Sequence, residues 1–355
     1  MSMDRITQKE NTDKENLTVI EGTGQRLVDM SARGKDREWG KKKTKNVKMY
    51  NIVRRANEFE EHERGFLLVS KSTAFNIEHC GDWLEFTHYA DGSKKLSAAN
   101  FCRHKFCPLC NWRRSLKLFG QVAKAVEAIL TDKPSVRFLF VTFTIKNVTK
   151  EKLPDALNKM NEAYKWIFQK SKTYAPAKKL KKNVNGYVKA VEITYNSETD
   201  TYHPHIHCVV EVKSTYFKNS DNYINQEEWK SLWEGAMHLD YEPMVNVQAI
   251  TNEKGGIDAG AVAEVAKYPV KVDGLLAIED IDKAARALIT LSHTTANRRF
   301  LTFGGDFREY RRRLKHDDIE HGDLVHVETD NETVKDSAVF KTLWKYNARM
   351  GVYIN

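Results

Sequence analysis

The sequence predicts an α+β protein: a mostly antiparallel sheet with flanking helices, preceded by a small zinc-binding module. Three observations predict it. The β-rich runs GYVKAVEITY and YHPHIHCVVEV are joined by the polar turn NSETDT, which makes an antiparallel hairpin. Helical periodicity and strand-like runs alternate through the middle of the chain in the order β, α, β-hairpin, α, β, α. Four cysteines, Cys80, Cys102, Cys107 and Cys110, gather in the first third, in a context that looks reducing, so a metal is expected rather than disulfides.

The elements follow in order. The basic segment GKDREWGKKKTKNVKMYNIVRR lacks sustained periodicity and reads as a tail or linker, or as a solvated helix. In the cysteine region, Cys107-Pro-Leu-Cys110 is a two-residue knuckle, Cys102 lies five residues earlier and Cys80 further upstream. Four thiolates so spaced fit a structural tetrahedral zinc, with the stretch between Cys80 and Cys102 folded as a hairpin and His79 or His104 as substitute ligands. Next, NWRRSLKLFGQVAKAVEAIL is an amphipathic helix with Trp112, Leu116, Phe119, Val122, Val126 and Ile129 on one stripe. Arg113, Arg114 and Lys117 lie off that stripe and are expected to face DNA. RFLFVTFTI reads as a buried strand, Leu153 to Ile167 as a helix, INQEEWKSLWEGAM as a helix, MVNVQAI as a short strand and DAGAVAEVAKY as a helix running into Pro269.

The 355 residues carry a formal net charge of +9, which narrows the partner. Basic residues cluster in Cys102–Gly120, in Ile167–Lys182 and in RRFLTFGGDFREYRRR. Such acid-poor patches are the footprint of a phosphate-backbone partner, so nucleic acid is expected. No apolar run is long enough to span a bilayer and the N-terminus is polar, so neither a membrane nor a signal peptide is expected, and a cytoplasmic location is.

The chemistry is read from the hairpin. Side chains alternate across a strand, so His205 and His207 share a face, with Cβ atoms about 7 Å apart. Ile206, Cys208 and Val210 point the other way, into a core. His203 shares the imidazole face, unless Pro204 turns it aside. Glu192 interrupts an apolar strand, where an unpaired carboxylate is costly, and falls roughly opposite the two histidines. Two nitrogens, one oxygen and open positions suit Mg²⁺ or Mn²⁺ working on a phosphate substrate, and zinc also fits. Such an ion polarises a phosphodiester and needs a nucleophile. AEVAKYPVK offers Glu264 and Tyr268, four apart and neighbours on a helix, with Pro269 ending the helix at Tyr268 and Lys271 or the ion stabilising a phenolate. Thr142 and Thr144 share a face of their strand and either contact the ion's waters or DNA, or serve as ordinary β-formers.

Four stretches together resemble plasmid rolling-circle replication initiators of the HUH endonuclease superfamily, in the group that pairs one tyrosine with a glutamate. FLFVTFTI resembles the first motif, HPHIH the two-histidine motif, EVAKYPVK the nucleophile motif, and CRHKFCPLCNWRRSLKL the cysteine-rich region ahead of the nuclease domain. The resemblance runs from about residue 65 to about residue 275. It implies that Tyr268 attacks one origin strand and stays linked to its 5′ phosphate. The freed 3′ hydroxyl then primes host polymerase, and Glu264 activates water for the terminating cleavage. It also implies origin DNA, single-stranded or cruciform at the nick site, and a host helicase and replication proteins as partners. The expected divisions are a polar, flexible region over 1–60, a zinc module with its basic helix over 61–132, an HUH-type nuclease domain over 133–275, and a basic region of no assigned role over 276–355. Two other readings remain open: a single-strand transposase of the same superfamily, and a zinc-dependent DNA-binding regulator without catalysis.

Overall fold

A computed structural model describes residues 17–31, 34–170, 174–218, 220–250, 259–266, 272–327 and 337–355. Two five-stranded sheets organise them. The first is built from β4 (Arg137–Thr144), β5 (Val184–Asn196), β6 (Thr201–Val212), β7 (Val245–Ala249) and β8 (Leu301–Gly305), in the order β7-β4-β6-β5-β8. Every neighbouring pair in it is antiparallel, and the expected hairpin is β5–β6. The histidine strand is therefore the central one, with ladder partners on both sides. Gly304 and Gly305 let β8 lie against β5: a Cβ at Gly304 would enter the Tyr187 ring, and one at Gly305 would meet the Asn185 carbonyl.

Alternation on these strands feeds two cores. Ile206, Cys208 and Val210 of β6 point into the larger one, with Phe143 of β4 and residues of α4 (Leu153–Lys165), α6 (Gln226–Met237) and α9 (Ile281–Thr295). A π-helical turn, Trp166–Lys170, extends α4. Asn225 caps α6 by accepting from the Glu228 amide, and the Glu228 carboxylate accepts in return from the Asn225 amide, a reciprocal box that fixes the helix start. The opposite face of the sheet buries Val209, Phe138, Phe140 and Val188 under α3 (Pro108–Asp132), α7 (Ala259–Val265) and α10 (Asp306–Arg313).

The second sheet belongs to the cysteine region. The hairpin β2 (Trp83–Tyr89)–β3 (Lys94–Ala99) occupies the interval between Cys80 and Cys102, as the spacing predicts. Its other neighbour comes from far along the chain: β9 (Ala338–Asn347) pairs antiparallel with β2, β10 (Val352–Ile354) pairs with β9, and β1 (Val19–Ile20) runs parallel to β9. Trp344 and Tyr353 join Trp39, Leu84, Phe86 and Leu109 in its core. Residues 276–355, to which the sequence assigned no role, thus serve both sheets through β8, β9 and β10.

Residues 39–64, all but the last four inside the stretch expected to be polar and flexible, instead form the 26-residue helix α1 (Trp39–Arg64). One stripe of it is buried: Trp39, Lys43, Asn46, Met49, Ile52, Val53, Ala56 and Glu60. Three of these are polar, and each is satisfied. The Lys43 ammonium pairs with Asp82 at 2.6 Å, Asn46 donates to the Ile77 carbonyl, and the Glu60 carboxylate lies 2.8 Å from His293. The remaining helices, α2 (Lys71–Glu78), α5 (Ala175–Asn183) and α8 (Val272–Leu276), are short.

Candidate functional site

Register places the three expected ligands together. On the β5–β6 ladder Glu192 sits directly opposite His205, and on the β4–β6 ladder Thr142 sits opposite His207. The ligand atoms of Glu192, His205 and His207 all lie within 4.8 Å of one another. One carboxylate oxygen, Glu192 Oε2, stands 3.1 Å from His205 Nε2 and 3.3 Å from His207 Nε2. All three side chains are buried, Glu192 to 1% exposure.

The other nitrogen of each ring is held by the sheet. His205 Nδ1 lies 3.3 Å from the His203 carbonyl, and His207 Nδ1 lies 3.1 Å from the Thr142 hydroxyl. A proton on Nδ1 of His205, donated to that carbonyl, leaves the Nε2 lone pair free for a cation shared with Glu192. Phe140 stacks beneath the His207 imidazole with ring centroids 5.6 Å apart. His207 Nε2 makes no hydrogen bond among the described residues although it is buried. A nitrogen in that position, with a carboxylate oxygen and a second imidazole converging on the same point, fits a divalent cation.

Glu264 adds a second carboxylate at the rim. Val262, Val265 and Ala266 anchor α7 and its end in the smaller core, over the imidazole face of the sheet. That seat brings Glu264 Oε1 to 4.0 Å from His207 Nε2 while leaving the side chain 35% exposed, open to solvent where Glu192, His205 and His207 are not. Tyr268 and Lys271, expected to supply the nucleophile and its cation, lie outside the described residues. His203 stays on the imidazole face, 5.3 Å from the His205 ring, because Pro204 is accommodated inside β6 opposite Ile193 and does not turn the strand. Thr144, opposite His205, spends its hydroxyl on the Met244 carbonyl at 2.8 Å.

The four cysteines converge as expected, with Sγ–Sγ separations of 3.6 Å for Cys80–Cys110, 3.7 Å for Cys102–Cys110 and 3.5 Å for Cys107–Cys80. A tetrahedron of thiolates about 2.3 Å from a zinc has edges of about 3.8 Å. Backbone amides of Cys102, Arg103 and His104 donate to cysteine sulfurs, a pattern that stabilises thiolate charge. Burial pushes the Cys107 and Cys110 thiols up, while hydrogen bonds from the other three cysteines pull Cys102 down. The cluster therefore shares protons unless a cation replaces them. His79 and His104 are not needed as substitutes: His79 binds Asp82 at 2.6 Å, and His104 accepts from the Phe106 amide. Cys208 lies in the larger core, away from the cluster.

The basic helix is the correction. Arg113, Arg114 and Lys117 are 0%, 3% and 2% exposed and cannot face DNA as expected. Arg113 donates to the Leu324 and Val325 carbonyls, Arg114 to the His104 and Glu320 carbonyls, and Lys117 to the Asp317 carboxylate and the Asp323 carbonyl. These cations clamp the segment 317–325 onto α3. The periodicity of α3 was read from apolar residues alone, and a stripe of long basic side chains buried under loop carbonyls leaves no apolar signal. Sequence reasoning also missed Asn46, whose Oδ1 receives the Cys107 thiol at 3.0 Å, and Lys43, which donates to the Cys80 carbonyl. The C-terminal strands did carry a signal: KTLWKYNARMGVYIN holds two β-rich runs around a turn ending in glycine.

A family model described as Replication protein matches residues 93–354. The chain is 36% identical over 319 residues to "Protein rep" of Streptococcus pneumoniae serotype 2 (strain D39 / NCTC 7466), covering 90% of this chain and 92% of that relative. It is 36% identical over 327 residues to "Protein rep" of Lentilactobacillus hilgardii, covering 90% and 96%. With "Protein rep" of Bacillus amyloliquefaciens the identity is 34% over 327 residues, covering 88% and 92%. No solved structure matches.

Proposed function

The chain belongs to the replication protein family, and from that premise we propose that it initiates plasmid replication by nicking one strand of the origin and joining itself to the DNA through Tyr268. The observation that carries the chemistry is the convergence of Glu192, His205 and His207 on one point of the central strand, with Glu264 at the rim. A divalent ion held there, Mg²⁺ or Mn²⁺, would draw charge from the scissile phosphate.

The residues of the chain do the rest. The backbone ladder fixes the two imidazoles, and the Thr142 hydroxyl orients one of them, so the positioning cost is met by the fold before DNA arrives. Tyr268, four residues beyond Glu264, attacks phosphorus with its phenolic oxygen. A new oxygen–phosphorus bond forms to the 5′ side while the 3′ oxygen leaves and takes a proton, which yields a primer end. One phosphodiester replaces another, so the linkage remains competent for rejoining. Lys271 steadies the phenolate. Glu264 then takes a proton from a water in the terminating cleavage, where a second tyrosine would otherwise be required. The cysteine cluster would hold a structural zinc, fixing the start of α3 and the hairpin beside it.

The test is relaxation of supercoiled plasmid carrying the chain's own origin, with and without divalent metal, followed by denaturing electrophoresis for DNA-linked protein. Nicking with covalent attachment is expected from the wild type and neither from Tyr268→Phe. Metal-dependent DNA binding without any strand break would instead favour the regulator reading. Glu264→Gln should nick and attach but accumulate multimeric single strands.

A further inference from the structure

On the face of the main sheet opposite the histidine cluster lies a cavity of about 340 Å³ between α4 with its π-helical turn, β5, β8 and the loop before β8. Lys165, Lys189, Arg298 and Arg299 line it, and among the described residues no acidic side chain does. Lys189 is the unusual member. It projects from β5 on the same face as Tyr187 and Val191, and its side chain is only 3% exposed. An ammonium has three protons to donate. Here one goes to Asn161 Oδ1 at 2.8 Å, and the group lies 4.7 Å from the centroid of the Tyr164 ring. Among the described residues no carboxylate pairs with it; burial pulls its amine down, and Lys165 nearby adds repulsion. A buried cation without a counter-charge opposes folding, which is tolerated where a ligand supplies the missing charge.

We propose that this cavity binds the phosphate of a nucleotide, with Lys189 as counter-charge at its floor, Arg298 and Arg299 at its mouth, and Tyr187 and Phe300 as the aromatic wall against the base. The proposal does not rest on the nicking chemistry, since none of these residues touches the histidine cluster. Its volume is at the lower end of small-ligand sites and admits one nucleotide, not a duplex. Arg298 is already held in place, donating to Asn158 Oδ1 at 2.6 Å, while Arg299 is exposed. The nucleotide is either free or part of a single strand. A neighbouring cavity of about 670 Å³ shares Asn297, Arg298 and Phe300 and adds Arg103, Lys105 and one acid, Glu320, which gives a strand a mainly basic path onward.

The experiment uses the full chain with three probes: inorganic phosphate, thymidine 5′-monophosphate and a labelled ten-residue oligothymidylate. Saturable binding of the monophosphate is expected, weakened about tenfold by Lys189→Met and by Arg299→Ala, as for loss of one charge-assisted hydrogen bond. Displacement of the oligothymidylate by the monophosphate, lost in Lys189→Met, identifies a strand nucleotide as the ligand. Monophosphate binding that leaves the oligothymidylate in place identifies a free one. The proposal is overturned if neither nucleotide probe binds, if phosphate alone competes as well as the monophosphate, or if both variants bind as the wild type does. Melting of the ligand-free protein separates a structural role: Lys189→Met should melt no lower than the wild type, and a drop of several degrees would mean that the amine holds the fold, not a ligand. Arg299→Ala, at the surface, tests binding independently of folding.

Discussion

Thr142 illustrates how much of this site is decided one residue away from the ligands. Its hydroxyl sets the His207 ring, and a ring-orienting partner of this kind is worth about 10–100-fold in metal affinity. Thr142→Val should therefore raise the Mn²⁺ concentration needed for half-maximal nicking by about that factor, with activity restored at saturating metal. A loss that saturating metal does not restore would mean the hydroxyl contacts DNA. Arg113 gives the opposite lesson. Its guanidinium bridges two loop carbonyls in a fully buried position, so Arg113→Ala should cost about 2–4 kcal/mol in urea unfolding. The salt dependence of origin binding should stay as it is, because the side chain faces no phosphate. Glu211 carries a pH signature. It is buried on β6 beside Asn185, and burial, with Asp306 nearby, pushes its carboxyl up to about 7. A carboxyl raised in the folded state binds a proton that the unfolded chain has already lost, so stability should fall as pH rises from about 4.5 through about 7. Glu211→Gln should flatten that fall; a profile identical to the wild type would assign the pH dependence elsewhere. At this scale the sequence was legible wherever chemistry forces a residue type: two imidazoles at i and i+2, one carboxylate in an apolar strand, four thiols. It was illegible for Arg113, because a buried cation satisfied by backbone carbonyls looks the same in sequence as an exposed one.

Elements with a clean period were read correctly, and those with polar residues in the buried stripe were not. β4, the β5–β6 hairpin, α6 and β7 fall where alternation or helical spacing puts them. The hidden case is α1, whose buried stripe includes Lys43, Asn46 and Glu60 and so loses its apolar contrast. Lys43 and Asn46 also tie α1 to the cysteine cluster through the Cys80 and Glu78 carbonyls and the Cys107 thiol. Metal release should consequently be felt beyond the four ligands. Cys107→Ser is expected to lose about one zinc equivalent per chain by elemental analysis. It should also expose amides of α1 and the β2–β3 hairpin to faster hydrogen exchange, while β4–β6 stay protected. Uniform deprotection of both sheets would show that the two cores unfold as one.

Across the whole molecule the cysteine module is completed by strands from elsewhere in the chain, and no local pattern could have announced that pairing. β9 lies between β1 and β2, and its Trp344 fills the module's core at 6% exposure. Trp344→Ala should cost about 3–5 kcal/mol and loosen zinc at cysteines more than two hundred residues earlier, measured as faster transfer of the metal to a chromogenic chelator. Unchanged transfer with the same stability loss would separate strand packing from metal retention. The arrangement also has a temporal consequence. About 240 residues separate the end of β3 from the start of β9, and a bacterial ribosome adds roughly 5–20 residues per second. For roughly ten to fifty seconds of synthesis, then, β2 waits with one edge unpaired, and the newborn protein gains its finished module only once β9 has left the ribosome.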